Sequence, residues 1–376
     1  MNFTFNDEQE ELRRVVRRFF DEKSPSTEVR RLMETNEGYD DVVWKQIAQD
    51  LALQGIHIPE SYGGQGGSFV ELGIVLEEMG RALACTPFFA TVCLATNAIL
   101  NAGTDEQKAE LLPAIAAGEK TATLAFAEES GSWDVEKIAV EAKLDGDSYK
   151  LNGVKSYVID GHTANVLVVA ARGGGRGEDG KVGLYLVDGQ AEGLDRQPLK
   201  TVDMTRKQAR LEFSNTLGRL LGTSDDAEAA LAKTLDQVSV CMSAEMAGGS
   251  QRCLDMAVDY AKERIQFGRP IGAFQAVKHL CADMLLEVES AKTAAYYAMW
   301  AAADDGEDLR LSAPLAKSYC GDAFFKVSCD NIQVHGGIGF TWEHDAHLYY
   351  RRAKSSDLMF GDASYHRQVL GDRLGI

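Results

Sequence analysis

The 376-residue sequence has no C-x-x-C pair, and its seven cysteines (Cys85, Cys93, Cys241, Cys253, Cys281, Cys320 and Cys329) are odd in number and scattered. That argues against a disulfide framework or a zinc site and reads as buried thiols in a reducing cytoplasm. No uncharged apolar run approaches the ~20 residues that a membrane-spanning helix needs, so no membrane is expected. The start, MNFTFNDEQEEL, is acidic where a secretory leader is basic and then apolar, and no export is indicated. Positive charge is in short supply: 39 Lys and Arg stand against 57 Asp and Glu, a formal charge of -18. Such a field repels a phosphate backbone, which excludes nucleic acid as a partner. An anionic small ligand needs a locally basic site set against that field. Also missing are a G-x-G-x-x-G opening a helix after a strand and a G-x-x-x-x-G-K-[ST] loop, so any dinucleotide is held another way.

What is present is ordinary globular composition, 45% apolar and 26% charged, at a length that accommodates two or three cores. Leu12, Val15, Val16, Phe19 and Phe20 recur at three- and four-residue spacing and predict a helix over 6–22, with Asn6 or Asp7 as its N-cap. The same period predicts helices over about 40–53, 69–83, 88–101 and 105–117, punctuated by Pro59, Gly63–Gly67, Pro87 and Gly103. From 121 the period changes to short, partly alternating runs such as TATLAFAEE, NVLVVAAR and VGLYLVDG, separated by Gly, Asp and Asn turns. GGGRGEDG (173–180) reads as a hairpin loop. After Gly222 the helical period returns over about 224–264, 272–304, 309–335 and 341–371. The expected fold is therefore α+β and multidomain: an N-terminal all-α domain (1–120), a middle antiparallel β domain (121–222) and a C-terminal four-helix bundle (223–376).

Two blocks carry the chemistry. YAKERIQFGRPIGAFQAVKHLCADM (260–284) contains Arg264, Phe267 and Gly268 as R-x-x-F-G, followed by Pro270, Ile271 and Gln275. NIQVHGGIGFTWEHDAHLYYRRAK (331–354) contains Gln333, Gly336, Gly337 and Gly339 as Q-x-x-G-G-x-G-[FY]. In this order and separation they resemble the acyl-CoA dehydrogenase family, and IPESYGGQGG (58–67) is similar to that family's P-E-x-[YF]-G-G-x-G loop. The helix, sheet, helix order agrees over essentially the whole chain. The resemblance implies that Arg264, Phe267, Gln275, Gln333, Gly336 and Gly337 reach across a subunit interface to the pyrophosphate and adenosine of a neighbour's FAD. A guanidinium suits that task because it pairs with phosphate oxygens bidentately, while paired glycines let backbone N–H groups approach closely.

The flavin-ring half departs from the pattern. AEESGSWD (127–134) lies where the family has T-E-P-x-A-G-S-D, so Ala127, Glu129 and Trp133 replace threonine, proline and serine and two hydroxyl donors are gone. GVKSYVIDG (153–161) lies where the family has W-I-[TS]-N, so Tyr157 replaces the stacking indole. Tyr157 either stacks on the flavin or fills the sheet core. For the base, the family's first-helix glutamate position falls on Val238. Its Y-E-G-[TA] stretch reads LMFGDASYHR, with Gly361 at the glutamate position and Asp362 one beyond. Asp362 is the best candidate base, and the competing reading makes it a turn or N-cap residue. Asp236 and Glu245 are poorer candidates. His335, His344 and His347 have no carboxylate partners at zinc-binding spacing, and no metal is expected. Arg351 and Arg352 beside Asp345 are expected to form an i,i+4-type pairing or an interface charge cluster, and Arg206 either meets a CoA phosphate or pairs with Asp203.

The resemblance thus implies a cytoplasmic flavoenzyme subunit that removes hydrogens from Cα and Cβ of an acyl-CoA thioester and passes electrons to electron-transfer flavoprotein or a similar acceptor. Because the clamp motifs serve a neighbour's flavin while the ring motifs serve the chain's own, a chain with only a clear clamp is expected in an α2β2-like heterotetramer with half the usual FAD. A homotetramer is the alternative assembly. GDASYHR also resembles subunits of the actinobacterial heteromeric dehydrogenases that act on sterol-derived CoA esters. Rival readings are a flavin oxidase or monooxygenase offshoot that uses Asp, and a non-catalytic partner subunit.

Overall fold

The computed structural model describes residues 5–174, 180–223, 225–304 and 306–376. The chain forms two compact units, one of residues 1–30, 69–84 and 239–376 and the other of residues 31–68 and 85–238.

The first unit is helical. Helix α1 (Asp7–Lys23) starts in a capping box, Asn6 accepting from Gln9 N and Gln9 bonding back to the cap. It buries Val16 and Phe20, and turns Arg13 and Arg17 toward Glu77 and Glu78 of α4 (Phe69–Arg81). A short helix that the sequence reading did not predict, α2 (Ser26–Met33), begins after Pro25, whose ring presets a helical φ. Helix α4 crosses α7 (Ala227–Glu263) at glycine contacts. A Cβ on Gly80 would lie 2.0 Å from Glu245 O, and one on Gly248 would lie 1.8 Å from Glu77 O. Only glycine permits that approach.

After α7 come α8 (Gln275–Ala303) and α9 (Leu309–His335), which pack on one another. The predicted fourth run is not one helix. It is divided into α10 (Ala346–Leu358) and α11 (Ala363–Leu374), because Phe360 and Gly361 take φ of 59° and 102°, values no right-handed helix contains.

The second unit opens with α3 (Asp41–Gln49), capped by Asp40. Residues Phe89–Thr96 are wound as a π-helix that continues into α5 (Asn97–Ala102). Helix α6 (Asp105–Ala116) starts in a second capping box, between Thr104 and Gln107. The sheet has seven strands: β1 (Ala122–Ala125), β2 (Glu141–Asp145), β3 (Ser148–Ile159), β4 (Val166–Gly174), β5 (Lys181–Asp188), β6 (Leu194–Pro198) and β7 (Gln208–Leu220). Ladders β4–β2–β3–β7–β5 return to β4 and close a barrel, with β1 added on β4 and β6 on β7.

The expectation of an antiparallel sheet needs correction, since β4 runs parallel to both β1 and β2. About 40 residues separate β1 from β4, and a connection of that length allows parallel pairing where a tight hairpin cannot. The interior is filled by Leu151, Leu167, Val169, Tyr185, Leu211 and Phe213. Strands β4 and β5 pair antiparallel on either side of the predicted Gly-rich hairpin, most of which (175–179) lies outside the described residues.

Candidate functional site

Helix α7 ends at Glu263, and Arg264 opens a two-strand hairpin, β8 (Ile265–Gln266) with β9 (Arg269–Pro270). Its two-residue turn is Phe267–Gly268, with φ of 52° and 77°. Positive φ at both central positions is the type I′ geometry that matches strand twist. Glycine adopts it freely, whereas Phe267 carries a side chain into the left-handed region and leaves its ring 91% exposed. Phe274 meets that ring edge-on at 6.0 Å, and the Arg269 guanidinium lies 4.2 Å over Phe274. The chain then folds back: Ile271 N donates to Arg264 O, and Gln275 begins α8. The first turn of α8 has neither a side-chain cap nor an acidic residue.

At the far end of α9, Gln333 is exposed and Gly336 ends the helix with φ 65°. Residues Gly336–Phe340 form a 3-10 turn. A Cβ on Gly336 or Gly337 would meet nothing within 4 Å, so these peptide groups face open space, whereas Gly339 is packed against His335 and Ile332. The Tyr260 and His335 rings stack at 4.4 Å and draw the two ends together. Sequence-distant Arg264, Phe267, Gln275, Gln333, Gly336 and Gly337 thus belong to abutting elements. The side chains of Arg264, Gln275 and Gln333 have no partner among the described residues. Uncommitted cationic and amide donors beside open glycines and an uncapped helix start are a donor set that fits a dinucleotide phosphate.

In the β unit, the β3–β7 ladder slips by one residue between Lys155 and Val158, and Tyr157 occupies that bulge with φ 59°. The bulge turns Lys155 inward and leaves Tyr157 41% exposed, so the ring does not fill the sheet core. Tyr157 lies 3.9 Å from the Cβ position of Gly131, beside the 127–134 segment. Beneath it, Lys155 Nζ donates to Phe126 O (2.9 Å) and Glu128 Oε1 (2.8 Å). Burial pushes Lys155 down to about 8 despite the Glu128 charge. Trp133 stacks on Phe126 at 6.3 Å, and Glu129 pairs with Arg210.

In the base region, Val238 is wholly buried in α7. Glu245 is locked in a buried ion pair with Arg352 (2.6 Å), which corrects the expected Arg352–Asp345 pairing. Asp345 instead meets Arg30 of α2, and Arg351 lies over Trp342. Arg351 and Arg352 stand six and seven residues beyond Asp345, about two turns and roughly 10 Å along the axis, which is out of reach of an i,i+4-type pair, and loop packing decides the partners. Arg206 is buried with its guanidinium 4.8 Å over Phe89. Asp362 N-caps α11, its Oδ1 accepting from Tyr365 N at 2.8 Å.

Three sequence families match in order: the acyl-CoA dehydrogenase N-terminal domain over 6–119, middle domain over 123–216 and C-terminal domain over 229–375. The chain belongs to the acyl-CoA dehydrogenase family. It is similar to acyl-CoA dehydrogenase IpdE2 of Mycolicibacterium smegmatis, 33% identical over 95% of each chain. Among solved structures it is similar to the Tcur3481-Tcur3483 steroid ACAD (32% identity, TM-score 0.89, 98% of each chain). It is also similar to the ChsE4-ChsE5 complex from Mycobacterium tuberculosis (26%, TM-score 0.89, 100% of this chain and 99% of that one).

In this acyl-CoA dehydrogenase-family chain the sequence reading missed two buried groups at the break between α10 and α11. Lys317 of α9, 0% exposed, donates from Nζ to Asp357 O (3.0 Å) and Gly361 O (2.9 Å). His366 bonds through Nε2 to Phe360 O at 3.0 Å. Burial pushes Lys317 down to about 8 and His366 down to about 3, the latter helped by the Lys317 charge. A signal existed: Lys317 shares an apolar stripe with Ala313, Cys320 and Phe324, at helical spacing that leaves no route to water. Each of the three histidines weighed as metal ligands spends a nitrogen on nearby backbone, His335 on Asn331 O, His344 on Ala346 N and His347 on Trp342 O.

Proposed function

We propose that this chain is an FAD-binding subunit of an acyl-CoA dehydrogenase that introduces a Cα–Cβ double bond into a CoA thioester. The reading is carried by the abutting ends of α7 and α9, where Arg264 and Gln333 stand uncommitted beside the open Gly336 and Gly337 in a chain of this family. When bound, FAD supplies the acceptor for the β-hydrogen, which leaves as hydride. The chain's own residues act around it. Arg264 pairs with a pyrophosphate oxygen of a flavin seated mainly in a neighbouring protomer, Gln275 and Gln333 hold its polar edge, and Phe267 reaches into that neighbour. Tyr157 lies on the ring side. Asp362 is the carboxylate for the α-proton. Its Oδ1 is held by Tyr365 N, which leaves Oδ2 for proton transfer.

The changed ring-side residues and the bare Gly361 favour a heterotetramer with a second chain of the same family, in which this chain completes its partner's flavin site. The two-chain relatives support that assembly and a sterol-derived CoA ester as substrate, with electron-transfer flavoprotein or a similar acceptor taking the electrons. No helix among the described residues is long and apolar enough to cross a membrane, and a cytoplasmic location accords with the seven free thiols.

Co-expression with neighbouring family genes, followed by flavin absorbance per chain, tests the reading. Half an FAD per chain, lost in Arg264→Ala, is expected. One FAD per chain in a pure homotetramer overturns the heteromer, and full flavin retention in Arg264→Ala overturns the clamp. The capping role of Asp362 favours a second reading, a non-catalytic partner subunit. Asn caps helices as well as Asp, so Asp362→Asn keeps α11 intact while removing a base. Bleaching by CoA esters that survives in Asp362→Asn supports the second reading.

A further inference from the structure

We infer that Lys317, assisted by His366, is a positioning residue that presets the turn carrying Gly361 and Asp362. The inference rests on the proposed function and adds the element that would aim its base. Helix α10 stops at Leu358, and the four residues before α11 include two successive left-handed positions, Phe360 at φ 59° and Gly361 at φ 102°. A chain reversal of that kind strips carbonyls of helical partners. Three of those carbonyls are recaptured by side chains: Asp357 O and Gly361 O by Lys317 Nζ, and Phe360 O by His366 Nε2.

The choice of donor is informative. A lysine this deeply buried ordinarily meets a carboxylate, yet the carboxylate of Asp357 is bonded to Lys354 at 2.9 Å and the Lys317 ammonium bonds backbone on both sides of the break. One rigid point therefore fixes a peptide plane before the left-handed pair and another at its end, and with them the direction in which Asp362 leaves the turn. Against its burial Lys317 feels the Asp357 charge most and the Asp362 charge less, so both carboxylates lie within electrostatic reach of the ammonium. His366 stays neutral beside the ammonium and secures the peptide between them. Proton abstraction from an acyl α-carbon depends on a carboxylate held within about half an ångström of its working place, and a turn pinned by buried donors meets that demand before substrate arrives.

The experiment uses the flavin-loaded complex with Lys317→Met, which keeps the apolar stem and removes the donors. Three readouts are taken: hydrogen exchange of segment 355–366, flavin per complex, and the rate and half-saturation of flavin bleaching by CoA esters. The expected result is about tenfold faster exchange confined to 359–365 with unchanged flavin content. Bleaching is then about tenfold slower, with half-saturation within about twofold. Unchanged exchange in 359–365 overturns the inference. So does bleaching at the wild-type rate in a merely less stable protein. Should Lys317→Met not fold, His366→Leu removes one donor from the same turn and is expected to give the same pattern at about threefold. The exchange measurement is independent of turnover: if no CoA ester bleaches the wild-type flavin, the proposed reaction fails while the exchange result still decides the role of Lys317.

Discussion

A glutamate placed at position 361, where the family resemblance would put one, should damage this chain rather than improve it. Gly361 sits at φ 102°, and an added Cβ would lie 2.2 Å from Cδ1 of Tyr365. A side chain in that backbone region costs about 1–3 kcal/mol in strain, and forcing the Tyr365 ring aside adds about 1–3 kcal/mol. Gly361→Ala is therefore expected to cost about 2–6 kcal/mol, which is several degrees in thermal midpoint. Gly361→Glu should be no better. Because Tyr365 is partly exposed, its ring has somewhere to go, and the two contributions separate in a double-mutant cycle. In a Tyr365→Ala background the cost of Gly361→Ala should shrink to the backbone part, about 1–3 kcal/mol. Urea unfolding of the four proteins measures the coupling. A Gly361→Ala protein as stable as wild type, or a Gly361→Glu protein that bleaches flavin faster with CoA esters, would refute the strained-turn reasoning.

Alkaline pH offers a second check. Lys155 and Lys317 are pushed down to about 8 by burial, so between about pH 8 and 10 each of these two groups is more protonated in the unfolded chain than in the folded one and contributes a rise in stability with pH, set against the opposite contribution of the buried Cys253 and Cys320 thiols, which burial pushes up. Each lysine contributes up to about 3 kcal/mol to that rise. The slope of urea midpoint against pH over this window should be less positive in Lys155→Met than in wild type, and equal slopes would contradict the assignment. On the acid side, His57 and His366 are pushed down to about 4 and about 3, so the unfolded chain protonates first and stability falls as pH drops below about 6.5. His57→Gln should flatten that fall, as read by urea midpoints from pH 7 to 4. Loss of the Tyr260–His335 stack in Tyr260→Ala should weaken flavin retention about 2–10-fold with unchanged far-ultraviolet circular dichroism, since an aromatic pair is worth about 0.5–1.5 kcal/mol.

Most helices were legible because their signals are local. The capping box at Asn6 and the apolar spacing through Phe20 lie within a few turns of one another, and the start of α1 follows from them. Helix α2 was missed because eight residues hold barely two turns of period. The parallel ladders of β4 were not legible, since nothing within a strand states which distant strand it will join. The residues proposed as the clamp were singled out by motif, but their meeting depends on a contact between Tyr260 and His335, which lie far apart in the chain. Tyr157 could not be assigned to core or surface from alternation alone, because a one-residue bulge reverses the alternation. Lys317 escaped notice because a lysine is expected to find water, and only the packed bundle shows that this one does not.

The hairpin tip at Phe267 has a bearing on how the chain can be handled. Asparagine or glycine would relax its left-handed backbone and remove a bare phenyl ring from solvent, so the isolated protomer is more comfortable with almost any small polar residue there. In the proposed assembly that ring lies against a neighbouring protomer. Produced alone, the protein then carries an adhesive knob, and screens that select soluble single chains will favour replacements at that tip which abolish the proposed assembly.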